Sequence, residues 1–302
     1  MAALIGHSPL RLKHLFQKVT WALQRRFERI FQPAQYHHPI PQSLLQFQQS
    51  HPISPGQVKR PKDSSLAVVV PCYNHAIYLA ETFDCILNQT YRPFEAIFVD
   101  DCSSDGSFEE LKHFCKHPPS GIQAILLQTP RNSGQAFAIN LAVEYSQAEQ
   151  IAVLNDDDYL MHDALEAIQA ILSDQPDIFM FGAAHIPVSA PLQISNLGKE
   201  DKLIHSKNPD YRALPLTLFT PETVQKIKRP GELSMTHSSC TFYKSAWKAA
   251  GGYYPDKRQR VVIHSDRDFQ LRLASLFPIA ICYAAPFSFW RSYSSVDRGR
   301  YS

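Results

Sequence analysis

The sequence predicts an α/β fold, and three observations carry that expectation. The runs "LAVVVP" (66–71), "FEAIFVDD" (94–101), "QAILLQ" (123–128) and "IAVLNDDD" (151–158) begin as unbroken apolar stretches, the mark of parallel strands covered on both faces. Segments of helical spacing alternate with them. Polar residues gather where the runs end, and ligands of such sheets bind outside the carboxyl ends of the strands.

Taken in order, residues 1–32 predict a basic amphipathic helix. Leu12, Leu15, Phe16, Val19, Leu23, Phe27 and Ile30 recur at helical spacing. Six Arg and Lys residues against Glu28 give this arm a charge of +5, leaving about −3 on the rest of a chain whose net charge is +2. Such a helix packs on the body or a partner, or lies peripherally on an anionic membrane surface. Residues 33–62, with Pro39, Pro41, Pro52 and Pro55 among Gln, His and Ser, read as a Pro-rich, semi-extended linker. Residues 63–302 form the globular domain, with a nucleotide-binding half (63–160) and an acceptor and catalytic half (161–302). Helices are expected near 77–87, 108–115 and 135–145 and from Asp163, with a further strand at "DIFMFGA" and a strand running into a helix at "CTFYKSAW".

Composition narrows the function. A net charge of +2 gives no argument for nucleic acid as a partner. The six cysteines are widely spaced without a C-x-x-C pair and read as reduced thiols of a cytoplasmic protein. No compact signal-peptide core and no run of about eighteen apolar residues occurs. Neither G-x-G-x-x-G nor G-x-x-x-x-G-K-[ST] is present, so a dinucleotide fold and a P-loop are both unsupported.

The chemistry concentrates at "VLNDDDYL" (153–160), where three consecutive carboxylates end an apolar strand. One Asp is enough to cap the helix that follows. Three in a row repel each other and call for a cation, which points to a divalent metal with an anionic ligand. An Asp at a strand end accepts from the imide N–H of uracil or binds a ribose hydroxyl, and Asp157 is placed to hold a metal against a diphosphate. Gly134, opening a helix, lets backbone N–H groups approach an anion.

Six pieces, "VVVPCYNH", "QTYRPFEAIFVDDCSSDGS", "PRNSGQAFAINLA", "LNDDDYL", "GGYYPD" and "SDRDFQLRL", together resemble the inverting glycosyltransferases of family 2, which have the GT-A fold. The resemblance covers roughly residues 66–275. It implies a nucleotide-sugar donor, most often a UDP-sugar, with Mg²⁺ or Mn²⁺, and hexosyl or N-acetylhexosaminyl transfer to a glycan or lipid-linked acceptor. By the same resemblance Pro71, Tyr73 and Asn74 line the nucleotide, and Asp101 with Asp100 beside it takes the uridine end. Asn132 and Gly134 lie near the nucleotide and its phosphates. The family's D-x-D falls on Asn155, Asp156 and Asp157, which makes Asp157 the metal contact and replaces the first acid by an amide. The family's Glu-Asp pair falls on Ser265 and Asp266, and Asp266 is then the base. "FWRSYSSVDRG" is similar to a Tyr-Arg-x-His stretch, so Arg291 is a candidate donor to the diphosphate, with Tyr293 where His is common.

Other readings stand beside these. Asp266 and Asp268 suit a helix N-terminus, where acids favour the dipole. His237, Ser238 and Ser239 either face the acceptor or serve structure, and Trp247 and Tyr253 are either sugar platforms or core. The absence of a Q-x-x-R-W sequence and of membrane spans favours a non-processive enzyme. A catalytically silent sugar-nucleotide binder of the same fold is the alternative, since Asn155 and Ser265 depart from the family pattern. A nucleotidyltransferase comes last, because "PCYNHAIYL" is not a Gly-rich basic loop.

Overall fold

The computed structural model describes residues 39–50, 57–61, 65–93, 95–118, 121–188, 203 and 209–291. The predicted amphipathic helix, residues 1–32, lies outside the described residues, as does Tyr293.

The described part of the expected linker contains a helix, α1 (Ile40–Ser50). Its three buried residues, Ile40, Leu44 and Phe47, recur at helical spacing, and Pro41 sits in the first turn, where its missing N–H costs nothing. Gln-rich composition concealed an amphipathic segment whose stability comes from packing: the Gln48 side chain donates to the Ser275 carbonyl and accepts from Gln225 at 2.7 Å. Further on, Arg60 donates to the carbonyls of Leu172, Gln175 and Ile178 and stacks over the Tyr243 ring at 4.3 Å. A cation placed among the last carbonyls of a helix satisfies groups that have no intrahelical partner.

The remaining described elements are β1 (Leu66–Cys72), α2 (Ala76–Leu87), β2 (Glu95–Asp100), α3 (Ser107–Lys116), β3 (Gln123–Gln128), α4 (Gln135–Tyr145), β4 (Gln150–Val153), β5 (Tyr159–Leu160), α5 (Ala164–Asp174), β6 (Met180–Val188), β7 (Thr217–Phe219), α6 (Pro221–Val224), β8 (Thr241–Tyr243), α7 (Lys244–Ala249), α8 (Ser265–Leu276) and β9 (Ile279–Arg291). One sheet runs β3-β2-β1-β4-β8-β6-β9-β5, with β7 also pairing β9. β1, β2, β3 and β4 are parallel, and β8 joins β4 antiparallel.

β1, β2 and β4 are buried along their whole length, while β3 is the half-covered edge. Direction changes only after β4, where β8 and the long β9 bring in the second half. α8 is buried on nearly every side from Asp268 to Leu276, which sets its first turn at the carboxyl end of the sheet. The fold is therefore α/β with a mostly parallel sheet and helices. Among the described residues no helix is long and apolar enough to cross a membrane, and the six cysteines are unpaired.

Candidate active site

The loops after β1, β2, β3 and β4 meet at one end of the sheet, and each carries predicted residues. Asn74 follows β1 with φ 56°, a left-handed conformation that Asn tolerates better than most side chains. Its Oδ1 accepts from the Ser104 N–H at 2.7 Å, and its own N–H donates to Ser103 Oγ at 3.0 Å. Asn74 therefore ties the first loop to the second. Pro71 is buried within β1, and Tyr73 is exposed with its N–H donating to Asp156 Oδ2 at 3.3 Å.

At the end of β2 the paired acids separate in role. Asp101 accepts from Thr129 Oγ1 at 2.6 Å, Ser133 N–H at 2.8 Å and Gly134 N–H at 2.7 Å. Its carboxylate shapes the β3–α4 loop, and the Gly134 N–H expected for an anion is committed to it. Gly134 nonetheless has φ 87° and open space where a Cβ would stand. Asp100 is fully buried; its Oδ2 accepts from Gln128 Nε2 at 3.0 Å and Ser103 N–H at 3.2 Å, and its Oδ1 has no partner among the described residues. A buried acceptor without a donor is costly unless a ligand supplies one. Asn132 is exposed beside this loop.

The acids after β4 also divide. His75, Asp156 and Asp157 offer ligand atoms that all lie within 4.8 Å of one another. His75 Nδ1 lies 2.8 Å from Asp156 Oδ1. Burial opposes charge on His75, but Asp156, with help from Asp157 and Asp105, prevails and holds its pKa up at about 9. The imidazolium thus brings positive charge to two carboxylates. Oxygen ligands at this spacing suit Mg²⁺ or Mn²⁺, and His75 would join them as a ligand on giving up its proton to the bound cation's field.

Asp158 turns inward. It accepts from Ser238 Oγ, from the Arg291 N–H at 3.2 Å and from Asn155 Nδ2 at 3.1 Å. Burial, then the charge of Asp157, pushes its carboxyl well above the usual range despite these donors. Asn155 explains itself here: its amide donates to Asp158 and accepts from Gln135 Nε2 at 2.9 Å, whereas an ionised Asp at 155 could only accept, losing the bond to Asp158 and setting a carboxylate against it.

The Ser238 hydroxyl that holds Asp158 belongs to the buried 3₁₀ turn His237–Ser239, which runs toward α8. His237 Nε2 lies 3.0 Å from Tyr253 Oη, and the ring is close enough to Asp266 for their charges to interact. Burial pushes His237 down, so the lasting cation beside Asp266 is Arg267. Burial also pushes Asp266 up, but its cationic surroundings and the Arg267 N–H outweigh it, and its carboxyl is held below the ordinary value. Asp266 is half-buried in the first turn of α8. Asp268 points the other way, fully buried, pairing with Arg272 Nη2 at 2.8 Å and accepting from the Val261 N–H at 2.6 Å. Arg272 in turn donates to the carbonyls of Ala250 and Gly252.

One expectation meets a different environment, and one open alternative is decided. The Arg291 guanidinium is buried, paired with Glu81 and set 4.7 Å over the Tyr78 ring, which gives it a place in the fold rather than a free face for a diphosphate. Trp247 and Tyr253 are core: Trp247 Nε1 donates to Asn140 Oδ1 at 3.2 Å and Tyr253 stacks on Phe269 at 4.1 Å. Sequence reasoning left His75 without a role and left Ser238 between facing the acceptor and serving structure, without naming Asp158 as its partner. His75 follows Asn74 directly, and its place in "YNH" beside an acidic strand end was the signal. No local signal marked Ser238, whose partner is 80 residues away.

With this geometry in place, similarity to known proteins is informative. The sequence profile described as glycosyl transferase family 2 matches residues 67–246, more than half of the chain. A putative teichuronic acid biosynthesis glycosyltransferase of Bacillus subtilis is 34% identical over 38% of this chain and 45% of its own length. Chondroitin synthase of Pasteurella multocida is 31% identical over 36% of this chain and 11% of its own. The chain thus spans less than half the length of these relatives. Among solved structures, S. aureus TarS 1–349 in complex with UDP-GlcNAc gives a TM-score of 0.55 at 16% identity, covering 79% of this chain and 61% of that one. A mannosyltransferase from Pyrobaculum calidifontis in complex with GDP-Man and Mn²⁺ gives 0.54 at 18% identity, covering 86% and 71%. At those identities the likeness is one of fold, the GT-A arrangement.

Proposed function

Because the chain belongs to glycosyl transferase family 2, we propose that it is a non-processive, inverting glycosyltransferase that moves a sugar from a nucleoside diphosphate donor, a UDP-sugar, to a glycan or lipid-linked acceptor. The observation that carries this reading is a pair of unlike carboxylate centres joined by the turn His237–Ser239. One gathers positive charge, with Asp156 and Asp157 drawing in His75. The other keeps a single carboxylate, Asp266, ionised by its surroundings.

In this mechanism the uridine end of the donor lies at the end of β2, beside Asp101 and Asp100. Asp157 and Asp156 hold Mg²⁺ or Mn²⁺, which when bound stabilises charge on the leaving diphosphate. Asp266 takes the proton of the acceptor hydroxyl as its oxygen bonds to the anomeric carbon, while the bond from that carbon to the diphosphate breaks on the opposite face. The configuration inverts and Asp266 retains the proton. The crystallised neighbours named above hold UDP-GlcNAc in one case and GDP-Man with Mn²⁺ in the other, which agrees with this assignment. Asn155, whose departure from the family pattern favoured a silent binder, has a structural reason of its own in Asp158. The basic arm would place the enzyme at an anionic cytoplasmic membrane surface.

The test is the melting temperature of the full chain against a panel of nucleotide sugars, with Mn²⁺ and with EDTA. A UDP-sugar should raise it in Mn²⁺ and lose that effect in EDTA. No shift with any nucleotide under either condition would end the proposal.

A further inference from the structure

We infer that Arg267 is a specificity-determining residue that docks a negatively charged group of the acceptor, so that the acceptor is an anionic glycan or a phosphate-bearing polyol rather than a neutral sugar. This rests on the reading of Asp266 as the base, one residue away.

Arg267 is half-buried in the first turn of α8, and the hydrogen-bond partners of its side chain among the described residues are all neutral. Nη1 donates to the Leu233 carbonyl at 2.6 Å and to Gln270 Oε1 at 3.3 Å, and Nη2 donates to Ser234 Oγ at 3.3 Å. These bonds fix the plane of the guanidinium. They leave Nε and one Nη2 hydrogen without a partner among the described residues, and neither nitrogen is among the sealed, unsatisfied atoms. The contrast with the other arginines of this region is direct. Arg272 is paired with Asp268 and Arg258 with Asp256, whereas Arg267 has no carboxylate within ion-pair distance among the described residues. An oriented guanidinium with a free edge suits a carboxylate or phosphate, which it can bind through two parallel bonds.

The surroundings favour an acceptor over the donor. The charge of Arg267 reaches His185, His237, Tyr283 and Asp266. His185 meets the half-buried Trp290 edge-on, with ring centroids 5.2 Å apart, and Tyr283 is exposed. Aromatic surface of this kind accepts a sugar ring. From Tyr254 to Arg267 the chain carries Lys257, Arg258, Arg260 and Arg267 against Asp256 and Asp266. The segment that leads into the base thus carries net positive charge, while the strand end that serves the donor is rich in acid.

The test uses the full chain and two matched pairs of probes without donor: an oligosaccharide ending in glucuronate against its methyl ester, and an oligo(glycerol phosphate) against its phosphate-free polyol. Calorimetry should show wild type binding at least one anionic probe about tenfold more tightly than its neutral twin, the size of a charge-assisted contact. The pair that shows the preference identifies the anion as carboxylate or phosphate. Arg267→Gln should bring that pair to parity, and Arg267→Lys should keep part of the preference, both with unchanged UDP and Mn²⁺ affinity. Parity in wild type, or a preference that survives Arg267→Gln, overturns the inference. So does a loss of UDP affinity in Arg267→Gln, which would assign the cation to the diphosphate. If Arg267→Gln fails to fold, Arg267→Lys decides: an undiminished preference there refutes the role. Should wild type bind no UDP at all, the donor reading fails while the ratio between twins still judges Arg267.

Discussion

The acids after β4 and the acids opening α8 look alike in sequence and behave as opposites. At the strand end, Asp156, Asp157 and Asp158 crowd one another, and the result is a raised Asp158 and a His75 held protonated up to about pH 9. At the helix end, Asp268 is neutralised by Arg272, and Asp266 is held below its ordinary value. At the strand end one imidazolium faces three carboxylates, whereas at the helix end Arg272 pairs with Asp268 and Arg267 lies beside Asp266. The first is therefore the place for a divalent cation, and the second can keep a base ionised without one. In both, one carboxylate turns inward to hold the fold, and its neighbour is the one to which the proposed mechanism gives a chemical role.

The largest effect tests the inward partner at the helix end. Asp268→Asn leaves Arg272 charged, buried and without its counter-ion, and should cost about 3 kcal/mol or more in chemical denaturation. A loss near 1 kcal/mol would show that Asp268 only caps the helix. Asp266→Asn should leave the melting temperature and UDP affinity nearly unchanged while transfer falls by about 10²-fold. Retained transfer would move the base elsewhere.

At the strand end, Asp157→Asn should weaken UDP binding in Mn²⁺ by about tenfold and abolish its sensitivity to EDTA. Unaltered sensitivity would remove Asp157 as the metal contact. Restoring the family's acid with Asn155→Asp should destabilise rather than activate the protein, by about 1 kcal/mol, because it sets a second carboxylate against Asp158. A rise in transfer would contradict the structural role of the amide.

The smallest effect is an absence. A carboxyl held below 3.8 stays ionised at every pH above that value, so Asp266 should contribute no fall in kcat/KM between pH 8 and pH 5. An acid limb centred near pH 6 that vanishes in Asp266→Asn would mean its pKa is raised instead.

A truncation must respect α1 and Arg60, which pack on the body. Removing residues 1–38 tests the arm, whereas removing 1–61 also strips the Gln48 contact with α8 and the Arg60 cap on α5.

The sequence by itself determined the parallel strands, the helices between them and the strand ends at which the site lies. These follow from apolar runs and helical spacing, which act over a few residues. It also singled out Asp157 and Asp266 through their resemblance to family motifs, and their roles as metal contact and base are proposals. Tertiary structure decided which member of each acidic pair does what. Asp101 is occupied by the β3–α4 loop while Asp100 keeps a buried oxygen without a partner among the described residues, and nothing in "VDD" distinguishes them. Arg291 is turned to Glu81, and Ser238 reaches Asp158, through contacts between residues distant in the chain. The helix α1 was hidden for the same reason: four apolar residues among Gln and Pro are too few to predict it, and its stability comes from the surface that three of them cover. Local pattern tells what a residue can do. The partners that folding brings to it decide which of those things it does.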